Sequence, residues 1–363
     1  MESSHVPDAK AGVVLPAEPM PGDLAGSGAA LSLRPAGSSP PLPPTPRKRI
    51  SRSSEVVAVR LPLPASPVPA AVGPALAKTL AGRWESYREQ LGRCQRKFSE
   101  EAVHELRVAT RRLLAQLGLL SCVVPSAELE KAHRILKRRL TALGELRDVQ
   151  VQRVFVERET PNFPELLLLG AWLRRRERRL SKSASGEVKR CKTRKLEKWI
   201  AALIAALRAS AGRSRVQSRL ATAVLRATAG AFAEAVERRQ AIDLADLRTV
   251  HQTRIAFKRF RYMVEILSPT LTGSSKRQLR TLAYYQRKMG IIQDLQVMQA
   301  CLASYIGQNK KRESLLRPFS RYMRQRRARA LRSFLKSADR LSAFWPPAPL
   351  AARAHAVPNR KAA

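Results

Sequence analysis

Val103-His104-Glu105-Leu106-Arg107-Val108-Ala109-Thr110-Arg111-Arg112 returns 147 residues later as Val250-His251-Gln252-Thr253-Arg254-Ile255-Ala256-Phe257-Lys258-Arg259. Both stretches read Val-His-x-x-Arg-(Val/Ile)-Ala-x-(Arg/Lys)-Arg. A second pair follows at an offset of 146: Leu143-Gly144-Glu145-Leu146-Arg147-Asp148-Val149-Gln150-Val151 against Met289-Gly290-Ile291-Ile292-Gln293-Asp294-Leu295-Gln296-Val297. At that spacing Lys131 falls on Arg277 and Arg134 on Arg280. Two separated motifs repeated at one spacing mark a duplicated structural unit. The unit is helical, because Val103, Leu106, Leu113, Leu117 and Leu120 fall within roughly 100° of one another at 3.6 residues per turn.

Working outward, 15 of the 24 prolines lie in residues 1–74, including Pro40-Pro41-Leu42-Pro43-Pro44. A Pro/Ala/Ser/Gly-rich segment cannot bury enough apolar surface to pack, so residues 1–75 are expected to form a disordered arm. Residues 76–345 are rich in Leu, Ala, Arg, Glu, Lys and Gln, all strong helix formers. About nine helices are expected, near 76–97, 100–122, 126–157, 163–182, 187–210, 213–240, 246–267, 275–305 and 312–343, with no alternating strand pattern. The fold class is all-α: two pseudo-symmetric antiparallel helical bundles, repeat 1 at about 76–185 and repeat 2 at about 213–345. Residues 346–363 form a flexible tail.

Charge narrows the function. The net charge is +40; residues 1–75 carry +2 and residues 346–363 carry +3, so +35 falls on the part that folds. Such self-repulsion opposes compaction unless a polyanion neutralises it, which excludes a neutral or cationic principal ligand. No apolar run approaches the length of a membrane span, and no secretory leader pattern is present. The four cysteines lack a CxxC pair and read as reduced thiols of a cytoplasmic protein.

A helix carrying HxxRxxxRR, then one carrying LGxxxD, with both again in the second half, resembles the CHAD family (conserved histidine α-helical domain). The resemblance covers roughly residues 76–340. It implies two four-helix bundles around a basic central cavity that binds inorganic polyphosphate, and recruitment to polyphosphate granules. The triphosphatase signature ExExK that often accompanies CHAD domains is absent from this sequence, so a stand-alone CHAD protein is expected.

The residues suit that ligand. On a helix, positions i, i+3 and i+7 lie within about 60° of arc, so His104, Arg107 and Arg111 form a column flanked by Arg112. His251, Arg254 and Lys258 repeat it, flanked by Arg259. Facing each other, the columns would line one groove, extended by Lys131, Arg134, Arg277 and Arg280. Polyphosphate offers no bases to read, so the site needs guanidinium forks and ammonium point charges. An anion in the site would favour protonated histidine, so affinity is expected to fall as pH rises above about 6.5. Asp148 and Asp294 are expected to orient arginines. The runs Arg174–Arg179 and Arg324–Arg332 are expected to lie on the outer surface, as an auxiliary polyanion patch.

Non-specific nucleic-acid binding is the rival reading, since the same surface would attract DNA or RNA. Aromatics at 5% supply no stacking platform, however. Catalysis is not expected: no phosphate-binding GxxxxGK(S/T) loop is present, and neither a metal nor a cofactor is called for.

Overall fold

The computed structural model describes residues 72–124, 126–271 and 276–345. The expected arm at 1–75 lies almost wholly outside the described residues, and the tail at 346–363 does so entirely. Within them the chain forms eleven α-helices and no strand. They are α1 (Val72–Arg96), α2 (Glu100–Ser121), α3 (Ala127–Ala142), α4 (Gly144–Glu159), α5 (Leu167–Lys189), α6 (Arg194–Ala209), α7 (Ser214–Gln240), α8 (Arg248–Leu267), α9 (Lys276–Gly307), α10 (Lys311–Leu315) and α11 (Arg317–Leu335). A short 3-10 turn at Ala338–Ala343 follows.

Local chemistry sets several of these ends. Ser99 accepts a hydrogen bond from the Ala102 amide, and Ser126 accepts one from Leu129, so the first turns of α2 and α3 each gain a side-chain cap. Acidic residues stand in both first turns (Glu100 and Glu101; Glu128 and Glu130), where they complement the helix dipole. Pro318 sits at the start of α11, where a missing amide hydrogen costs nothing.

The duplication is plain in the packing. α1 packs on α2, α2 on α3 and α4 on α5; in the second half α7 packs on α8, α8 on α9 and α9 on α11. The single helix α9 thus does the work of α3 and α4 together. The expected helix at 126–157 is broken at Leu143 (φ −93°, ψ 0°), whereas its counterpart runs unbroken past Met289 and Gly290. The halves join where α2 meets α8 and α1 meets α7.

One apolar core runs through both halves, from Leu76, Leu80 and Leu113 of the first to Phe257, Phe260 and Met289 of the second. A second core joins α4 and α5 to α9 and α11, with Phe163 edge-on to Phe319 at 5.3 Å and Trp172 against Tyr305 at 5.4 Å. Glu159, at the end of α4, crosses between halves as well. Its carboxylate accepts from Arg326 (2.7 Å) and from the Tyr322 hydroxyl (3.0 Å), both on α11. Burial pushes this carboxyl up, but those hydrogen bonds outweigh it and hold the group below its ordinary range. All four cysteines are free thiols. Among the described residues no helix is long and apolar enough to cross a membrane.

Candidate functional site

The two histidine-led helices pack against each other through their C-terminal halves. Arg259 of α8 reaches to 3.9 Å from the Cys122 sulfur at the end of α2. Arg83 feels both Arg112 of α2 and Glu265 of α8. The histidine-bearing halves instead turn toward the second motif of their own repeat. Arg107 lies against Gly144, and Arg254 against Gly290. A methyl group placed on either glycine would sit 4.0 Å or 3.9 Å from the guanidinium. That is ordinary van der Waals distance, so α4 and α9 pack directly over the two arginines at these glycines.

The cationic columns are interior. Arg107 and Arg254 are 1% exposed, Arg111 5% and Lys258 9%. An open groove between facing columns was expected; the side chains are instead enclosed by the motif helices they serve. Each takes part in further contacts within the fold. Arg107 donates to the Leu140 carbonyl at 2.7 Å, taking up one of the acceptors left over where α3 ends. Its first role is therefore to close that helix end.

His104 and His251 are half-buried. Burial, then Arg147, Arg111 and Arg107, lower the His104 pKa to about 4. This departs from the expected histidine titration near 6.5. Three cations and a desolvated ring keep His104 neutral in the free protein above about pH 5. Asp294 does titrate near neutrality: burial pushes its carboxyl up to about 7, while Arg254 draws it down and Asp148 pushes it up. Asp148 and Asp294 hold equivalent positions in the two repeats. They line one cavity and repel each other, so the two copies of the second motif lie side by side.

A cavity of about 340 Å³ opens at this junction, between α4 and α9. Asp148, Asp294, Arg147, Arg158 and Arg326 supply its charged lining, with Glu100 at the start of α2. Arg147 pairs with Glu100 at 3.0 Å, and Glu100 also binds Arg153 at 2.8 Å. His104 Nδ1, Arg147 Nε, Gln152 Oε1 and Asp294 Oδ1 are buried polar atoms with no hydrogen-bond partner among the described residues. Three of them, on Arg147, Gln152 and Asp294, belong to the cavity lining and mark a place suited to a polar or ionic guest.

The remaining candidates are on the outside. Lys131 and Arg134 are exposed on α3, and Arg277 and Arg280 on α9. Arg112 is exposed too, and Arg259 is tied to Glu234 of α7 at 3.3 Å. These six do not join the buried cluster. Sequence reasoning missed Arg147 and Glu100 as site residues, although Arg147 stands within the quoted motif. Its counterpart is Gln293, so the repeat comparison passed over it. Among the described residues no group of three His, Cys, Asp or Glu side chains is placed to hold a metal ion.

A family model, the CHAD domain, matches residues 71–303. Among solved structures, the chain is similar to the crystal structure of the CHAD domain from the plant Ricinus communis. The two are 21% identical with a TM-score of 0.52, over 80% of this chain and 96% of that one. No match was found among curated proteins.

Proposed function

The chain belongs to the CHAD family, a family associated with polyphosphate binding, and from that premise we propose that it binds inorganic polyphosphate and associates with polyphosphate granules. Lys131, Arg134, Arg277 and Arg280 act on this reading as the exposed approach, and the buried columns as the source of positive potential. The protein binds and does not turn over its ligand.

One observation carries the reading: an interior cluster in which cations outnumber carboxylates. Arg107, Arg111, Arg147, Arg254 and Lys258 are all buried. Glu100, Asp148 and Asp294 stand against them. The surplus is two positive charges with every carboxyl ionised, and three when Asp294 holds its proton. A cluster with this excess of positive charge favours an anion beside it, and a chain of phosphates accepts several charge-assisted hydrogen bonds from such groups.

Fluorescence anisotropy with end-labelled polyphosphate tests this, comparing wild type with Lys258→Gln. Lys258 is chosen because Arg107 also closes a helix end. Loss of one buried charge-assisted contact, about 1.5–3 kcal/mol, weakens binding by roughly 10- to 150-fold. The slope of affinity against salt should fall as well. Duplex DNA that displaces polyphosphate at matched phosphate concentration would favour the nucleic-acid reading.

A further inference from the structure

The motif comparison leaves a third repeated segment unused. Met323-Arg324-Gln325-Arg326-Arg327-Ala328-Arg329 of α11 lies 150 residues after Leu173-Arg174-Arg175-Arg176-Glu177-Arg178-Arg179 of α5. Side-chain burial runs through both stretches in the same order: buried at Leu173 and Met323, exposed at the next two, half-buried at the two after, exposed again at the two that follow. The polar links to the preceding helix correspond too. Arg153 donates to Glu177 at 2.6 Å in the first repeat, and at the equivalent positions Arg327 donates to Gln299. Donor and acceptor have changed sides, but the joint is conserved between the halves.

Each helix turns a cationic stripe outward. On α5 it comprises Arg174, Arg175, Arg178, Arg179 and Lys182; on α11 it comprises Arg317, Arg321, Arg324, Arg329 and Arg332, all exposed. At 100° per residue each set fills about 140° of arc, centred roughly opposite the buried residues of its helix. Arg174 pairs with Glu157 at 3.3 Å. The other nine form no ion pair among the described residues, and α11 contains no acidic residue at all. Like charges at i, i+3 and i+4, such as Arg175 with Arg179 or Arg321 with Arg324, destabilise a helix by about 0.2–0.5 kcal/mol per pair. A repulsive stripe kept at the same place in both halves fits an anion that lies along it. No aromatic ring stands in either stripe, so the surface reads a bare phosphate backbone and not stacked bases.

We propose that the outer faces of α5 and α11 each hold a phosphate chain of their own, so that one molecule bridges several polyphosphate strands. The bridging rests on the reading that polyphosphate is the ligand, and it adds a function: cross-linking. A protein with one site coats a chain; a protein with separate cationic faces links chains into a network through multivalency.

Light scattering of the full chain mixed with long-chain polyphosphate tests this, beside anisotropy with a labelled chain too short to reach two faces. One variant carries Arg175→Gln, Arg179→Gln, Arg324→Gln and Arg329→Gln. A control with the same loss of charge carries Lys78→Gln, Lys195→Gln, Lys198→Gln and Arg226→Gln, all exposed positions off the stripes. Wild type and control should form large assemblies near charge balance that redissolve in excess polyphosphate. The stripe variant should bind the short chain within about twofold of wild type, keep its melting temperature and lose most of the scattering. Equal scattering from all three proteins, or equal losses in variant and control, overturns the proposal. So does wild type that binds short chains yet never assembles, or that assembles with duplex DNA and not with polyphosphate. Failure to bind the short chain at all would instead sink the polyphosphate reading itself.

Discussion

Replacing Asp294 with asparagine should stabilise the protein, and increasingly so as the pH rises. In the fold its carboxyl titrates at about 7, because burial, helped by repulsion from Asp148, outweighs the pull of Arg254. In the unfolded chain it titrates near 3.9. A folded-state pKa raised above the unfolded one means that folding holds a proton which the unfolded chain releases. Stability therefore drops as pH climbs from about 4 to about 7, and the full cost is present above 7. Three pH units at about 1.36 kcal/mol each put that cost near 4 kcal/mol, an order-of-magnitude figure. Asparagine keeps the shape and cannot ionise. Its own hydrogen-bonding differences are independent of pH, so the change in the stability difference isolates the titration. In urea unfolding followed by circular dichroism, the advantage of Asp294→Asn should grow by about 2–3 kcal/mol between pH 5 and pH 8. A constant difference, or one that shrinks with pH, would mean that Asp294 is an ionised partner of Arg254 and that burial does not hold its proton.

The same titration should appear in ligand binding: polyphosphate affinity should fall as pH rises through 7 in wild type and stay level in Asp294→Asn, measured by anisotropy at fixed salt. Glu159→Gln removes the carboxylate that ties α4 to Arg326 and Tyr322 of α11. It should cost about 2 kcal/mol in denaturant titration; no loss would make the tie incidental. Two glycines should respond in opposite directions by thermal unfolding. At Gly73 an added methyl would lie 2.1 Å from the Ser210 hydroxyl and 2.7 Å from the Gln217 amide nitrogen, so Gly73→Ala should destabilise by about 1–3 kcal/mol. At Gly230, exposed within α7 with nothing within 4 Å, alanine should stabilise by roughly 0.5–1 kcal/mol.

Helix positions were readable because apolar spacing and breakers agree along most of the chain. Boundaries at α2, α7 and α8 fall within two residues of expectation. The break at Leu143 escaped notice, since Gly144 stands where Gly290 lies inside a continuous helix. The motif offsets of 146 and 147 exposed the duplication of α2 and α4, but α5 and α11 are related at 150. Extra residues in the connection shift the register there, and a comparison at fixed spacing passes over them. What sequence could not disclose was the burial of Arg107, Arg111, Arg254 and Lys258. A polar column opposite an apolar stripe looks like a solvated face on any single helix. Only the packing of α4 and α9 over it, at Gly144 and Gly290, encloses it. For the same reason the histidine titration was misjudged: the cations that hold His104 neutral include Arg147, brought in by tertiary packing.

A crystal structure of the complex with polyphosphate of defined length bears most directly on the buried cationic cluster as the binding centre. Phosphate oxygens should lie within hydrogen-bond distance of Arg147 in the α4–α9 cavity lining, or of His104 or Lys258. Phosphates found along α5 and α11 alone, with that interior unchanged, would contradict it.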